Sequence, residues 1–113
     1  MKTESVLNAF PGAVTICDTK GIILAMNDKS IKAFEDDGGA ALIGQNVLNC
    51  HPEAARMKII ELIENEEVNA YTIEKNGVKK LIYQAPWYDE GEFAGIIEVS
   101  LEIPFEMSHF VRE

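Results

Sequence analysis

Thr72-Ile73-Glu74-Lys75-Asn76-Gly77-Val78-Lys79-Lys80-Leu81 carries the strongest hairpin signal in the chain. Asn-Gly suits a type I′ turn, because both central residues need positive φ. The pair predicts a strand over 68–75 and an antiparallel partner over 78–87. Asp89-Glu90-Gly91-Glu92 is a second turn, and a third strand follows over 93–102. In that strand Ile97, Val99 and Leu101 alternate with Glu98, Ser100 and Glu102. The alternation predicts an apolar face toward the core and a polar face toward water. Pro104 ends the sheet.

Upstream, Val14-Thr15-Ile16-Cys17 and Ile22-Ile23-Leu24-Ala25-Met26 flank the turn Asp18-Thr19-Lys20-Gly21, a further hairpin over 13–26. Residues 3–10 read as a short amphipathic helix with Val6, Leu7 and Phe10 as its apolar side, ended by Pro11-Gly12. Asn27-Asp28 offers an N-cap for a helix through Phe34. Glu35 to Gly39 is a polar loop, and Ala40 to Ile43 allows one helical turn closed by Gly44. Asn46 to Asn49 allows another turn. Pro52 suits the first position of a helix reaching Asn65, where a missing N–H costs nothing. Met57, Ile59, Ile60, Leu62 and Ile63 give that helix a broad apolar face. Two strands, three or four helices and three strands make an α+β domain, an antiparallel sheet with helices on one face.

At 113 residues the chain is long enough for one domain. Its core covers about 5–103, and 104–113 form a tail whose Phe105, Met107, Phe110 and Val111 need burial. A hydrophobic share of 47% against 26% charged residues predicts a folded chain. The net charge of −9 argues against nucleic acid and against anionic membrane surfaces. Lys75, Lys79 and Lys80 form one basic spot, which reads as a solvated hairpin tip. No apolar run approaches the ~18 residues of a spanning helix, and no signal peptide is visible. Cys17 and Cys50 make no disulfide framework, which points to a cytoplasmic protein with reduced thiols. The Cys and His spacing does not suit zinc. No nucleophile elbow, phosphate loop or zincin motif is present, and the chain reads as a non-enzyme. Glu98 and Glu102 share a strand face but lie about 13 Å apart, too far for a carboxylate dyad.

In order and spacing, Asp18-Thr19-Lys20-Gly21, Asn27, Ile43-Gly44, His51-Pro52-Glu53 and the closing three-strand meander resemble a PAS domain. The resemblance covers about residues 5–103. It implies a five-stranded antiparallel sheet in the order 2-1-5-4-3, with helices enclosing a small pocket on one face. It also implies a sensory, signal-transduction module that binds a small ligand or mediates dimerisation and protein interaction. Its partners would be a second copy of the chain and a signalling partner or fused output domain, as in two-component regulation.

Cys50 and His51 stand side by side where that pocket opens, and with Tyr83 and Trp87 they form the candidate ligand site. Tyr83 and Trp87 are four apart in a strand, so they share a face and could stack on a planar ligand. His51-Pro52-Glu53 is also an ordinary helix start. The alternatives are a haem or redox sensor using His51 and Cys50, with His51 a metal ligand only if haem is bound, and a ligand-free interaction module. In the light-sensing relatives of this pattern a reactive cysteine follows Gly-x-Asn; Val47 stands at that position, so no flavin–cysteinyl adduct is expected. The expected dimer interface is Val6, Leu7 and Phe10 with Phe105 and Phe110.

Overall fold

Asn76 and Gly77 take φ of 54° and 78°, the two left-handed conformations the hairpin needs. The computed structural model describes residues 2–50 and 52–113 and all their side chains except those of Asn49 and Cys50. It places β3 (Asn69–Lys75) and β4 (Val78–Asp89) on either side of this turn. Glu90 and Gly91, at φ 50° and 85°, make a second turn of the same kind into β5 (Glu92–Ile103). The strands at this turn outrun the expected limits because a two-residue loop keeps every flanking residue in the ladder. β1 (Ala13–Asp18) and β2 (Ile23–Met26) form the first hairpin. There Asp18 Oδ1 accepts from the backbone N–H groups of Lys20 and Ile22 at 2.8 and 2.9 Å. The sheet runs β2-β1-β5-β4-β3, as the resemblance implies, and every neighbouring pair is antiparallel.

The helices are α1 (Thr3–Ala9), α2 (Asp28–Ala33) and α3 (Glu53–Asn65). Between α2 and α3 the chain takes three 3-10 turns, Glu35–Asp37, Gly39–Leu42 and Val47–Cys50. The first replaces an expected loop. Pro52 is the N-cap of α3, with ψ 157°, and not its first helical residue. Its ring restricts φ and leaves ψ extended, while its carbonyl still accepts from Arg56 N at 2.9 Å. Among the described residues no helix is long and apolar enough to cross a membrane.

α3 buries Ile59 and Leu62. Leu62 packs on Cys17 and Ile96, with Val47, Ile63 and Phe93 around them. Met57, expected on the apolar face, points to solvent. A second cluster joins Ile23, Met26 and Leu42 to Ile31 and Phe34. The tail after β5 stays exposed at Phe105, Met107, Phe110 and Val111. Lys79 Nζ reaches it by donating to the Phe105 carbonyl at 3.4 Å.

The alternation in β5 is present, but its faces are the reverse of the expected ones. Cys17 pairs with Ile96 and Thr15 with Glu98 across β1 and β5. Because Cys17 and Ile96 lie under Leu62 of α3, Glu98, Ser100 and Glu102 share the helix side of the sheet. Ile97, Val99 and Leu101 take the opposite face. A period of two separates the faces of a strand without saying which one the helices cover.

Candidate functional site

A cavity of about 210 Å³ lies between the sheet and the helices. Its apolar wall includes Met26 of β2, Leu42 of the second 3-10 turn, Ile59 of α3 and Ile96 of β5. Thr15, Gln84 and Glu98 contribute the polar part from the sheet. The register explains their meeting: Glu98 pairs with Thr15 on one side and Gln84 on the other. Gln84 in turn pairs with Asn69 of β3.

These side chains are chained by hydrogen bonds. Asn69 Nδ2 donates to Gln84 Oε1 at 2.8 Å, and Gln84 Nε2 donates to Glu98 Oε1 at 2.8 Å. An ionised carboxylate only accepts, so Gln84 must turn its NH₂ to Glu98 and its carbonyl to Asn69. Gln84 is itself buried. Among the described residues no lysine or arginine pairs directly with Glu98; the one ion pair joins Lys58 and Glu61 at 3.7 Å. Thr15 Oγ1 shares a hydrogen bond with Ser30 Oγ of α2 at 2.5 Å.

Two nearby titratable groups register this environment. Burial pushes the Cys17 thiol up, Asp18 and Glu98 add to the rise, and a backbone hydrogen bond with Ile96 opposes it. Burial also raises the Tyr71 phenol, with a further contribution from the Glu98 charge. An adjoining groove of about 200 Å³ places Lys29 of α2 with Lys75, Lys80, Glu98 and Glu102. Lys75, exposed beside the hairpin tip as the sequence suggested, and Lys80 also border this mixed-charge groove beside α2.

Of the expected site residues, His51 and the side chain of Cys50 lie outside the described residues; the Cys50 backbone closes the third 3-10 turn. Tyr83 and Trp87 do share a face, but it is the face away from α3. Tyr83 pairs with Val99 and Trp87 with Gly95, and neither lines the cavity. Trp87 Nε1 crosses Gly95 to donate to the Cys17 carbonyl at 3.0 Å. A Cβ at Gly95 would collide with that carbonyl, and φ there is 147°. Trp87 thus ties β4 to β1 across the middle strand. Val6, Phe10, Phe105 and Phe110 are exposed, and Leu7 is half-buried. Sequence reasoning missed Asn69, Gln84 and Glu98. Glu98 carried a usable signal: a carboxylate between Ile97 and Val99 in a strand that the 2-1-5-4-3 order places at the centre of the sheet.

The described residues around the cavity do not fit a haem. They include no imidazole, and their one thiol, Cys17, is shifted away from the thiolate that iron ligation uses. The volume is also small for a macrocycle of four pyrroles, since an apolar cavity of about 150 Å³ is filled by one benzene. Among the described residues no group of three or more His, Cys, Asp or Glu side chains is placed to hold a metal ion.

Solved structures share this fold. The PAS domain of BvgS from Bordetella pertussis matches with a TM-score of 0.63 at 19% identity, over 89% of this chain and 83% of that one. A sensory box sensor histidine kinase from Vibrio cholerae matches with a TM-score of 0.61 at 18% identity, over 89% of each chain. The Aer2 receptor from Vibrio cholerae, described as a dual PAS-heme oxygen sensor, matches with a TM-score of 0.61 at 18% identity, over 82% of this chain and 95% of that one. No family model matches the sequence, and no curated protein does. The chain has the PAS fold over most of its length.

Proposed function

We propose that this domain is a non-catalytic, cytoplasmic sensory module that takes a small molecule into the cavity and passes its occupancy to a signalling partner or fused output domain. The cavity carries this reading. Its walls are mostly apolar, yet its floor holds a carboxylate on the helix side of the central strand. Gln84 holds that carboxylate by a hydrogen bond of 2.8 Å, which gives a mostly apolar cavity one fixed polar contact for a ligand. The same fold in a sensor histidine kinase and in an oxygen sensor supports a signalling role. The haem reading rests on His51, outside the described residues, and gains neither a ligand nor room from the others.

Native mass spectrometry of freshly purified protein tests the proposal. The expected result is a mass excess that disappears on denaturation and is absent from Ile59→Phe, which fills the cavity from α3. A wild-type protein that retains no ligand, and whose melting temperature no small molecule raises, would instead be the ligand-free interaction module.

A second reading, homodimerisation, is favoured by the outer face of the sheet. Ile16 pairs with Ile97, Tyr83 with Val99 and Leu81 with Leu101. These residues make an apolar stripe across three strands on the side away from α3. Leu101 and Phe10 both border Gly12, so the stripe runs toward α1. A second copy of the chain suits such a stripe, flanked by exposed Val6, Phe10, Phe105 and Phe110.

A further inference from the structure

We infer that the cavity selects a compact molecule, about one ring in size, with an apolar body and an N–H or O–H donor directed at Glu98. This deepens the proposed sensory reading and rests on it. Size sets the first limit. The volume of about 210 Å³ exceeds the roughly 150 Å³ that accepts benzene and falls below the ~300 Å³ at which drug-sized pockets begin. One ring with a short substituent fits between these bounds.

Polarity sets the second limit. Glu98 uses one oxygen to accept from Gln84, and a carboxylate offers about four acceptor sites. Its remaining acceptor capacity borders both the cavity and the adjoining groove of Lys29, Lys75 and Lys80, and a ligand in the cavity satisfies it only by donating. Asn69 donates to the Gln84 carbonyl and so fixes that amide with its NH₂ toward Glu98; its second N–H is a neutral donor beside the stronger, charged acceptor. An acidic ligand is disfavoured further: Asp37 also lines the cavity, and no lysine or arginine does among the described residues. The complement is a neutral or cationic donor, and carboxylates and phosphates are rejected by like charge.

The test uses four probes on nearly one skeleton: benzyl alcohol, benzylamine, ethylbenzene and benzoate. Each is titrated into isotope-labelled protein while backbone amide shifts are followed. Benzyl alcohol and benzylamine should bind at least about fivefold more tightly than ethylbenzene, as a hydrogen bond to a charged group implies. Benzoate should bind most weakly, and the shifts should centre on Gln84, Ile96 and Glu98. In Glu98→Leu the order of benzyl alcohol and ethylbenzene should reverse. In Glu98→Gln, which keeps the side-chain shape if the leucine variant fails to fold, benzylamine should lose its advantage over ethylbenzene. Ethylbenzene or benzoate binding as tightly as benzyl alcohol would overturn the donor assignment while leaving a cavity that binds. Unchanged preferences in the variants would do the same. If none of the four probes moves a cavity amide, small-molecule binding itself fails, and the assignment fails with it.

Discussion

Cys17 stands where core and cavity meet, touching Leu62 and Ile96 on one side and lining the cavity on the other. Its pKa is raised above the ordinary thiol value, first by burial and then by the Asp18 and Glu98 charges. The native thiol therefore keeps its proton at a pH where the unfolded thiol has lost it. This contribution to stability is complete below the unfolded value, about pH 8.5, and is lost as pH rises through the folded one. The gap in urea midpoint between wild type and Cys17→Ala should narrow as pH rises above about 8.5. A gap that stays constant would show that burial does not hold the thiol neutral. Cys17 as a small buried residue was readable from its strand. Glu98 stood out as a carboxylate in a central strand, but its face was not readable, because its sequence neighbours alternate identically whichever face the helices cover.

At the scale of elements, Asn27 joins α1, β1 and α2. Its Oδ1 accepts from Val14 N at 2.8 Å and Ser30 N at 3.0 Å. Its Nδ2 donates to the carbonyls of Leu7 at 3.0 Å and Gly12 at 2.8 Å. The residue is fully buried. The capping role was legible, since Asn before a helical run is a preferred N-cap. The links to Leu7 and Gly12 were not, because they join segments that meet only when the sheet forms. Asn27→Ala leaves buried backbone groups without partners and should cost about 3 kcal/mol in urea unfolding. Asn27→Asp keeps the acceptor but sets a buried carboxylate against the Leu7 and Gly12 carbonyls, so it should cost at least as much as Asn27→Ala. A loss under about 1 kcal/mol in Asn27→Ala would reduce the residue to an ordinary cap.

At the scale of the molecule, the sheet has two unlike faces. One holds α3 and the cavity; the other shows the stripe of Ile97, Val99 and Leu101 with the strands beside them. If a second copy covers that stripe, light scattering after size exclusion should give twice the 12.5 kDa chain mass at micromolar concentration. Tyr83→Glu, at an exposed point of the stripe, should shift the protein to monomer with little change in stability. A monomeric wild type would leave the stripe without this partner.

Element types and their order were set by local chemistry: Asn76-Gly77 by its positive φ, Asp18 by its hydrogen bonds across the turn, Asn27 by its cap. Each acts within a few residues, so each could be read along the chain. Strand order 2-1-5-4-3 followed from resemblance and is what the structure contains. Which face of β5 meets the helices, and so whether Glu98 or Val99 looks into the cavity, was decided only in three dimensions. The same holds for the meeting of Asn69, Gln84 and Glu98, and for the placement of Tyr83 and Trp87 on the far side. Those outcomes depend on registers between strands and on where α3 lands, quantities that no alternation within a single strand contains.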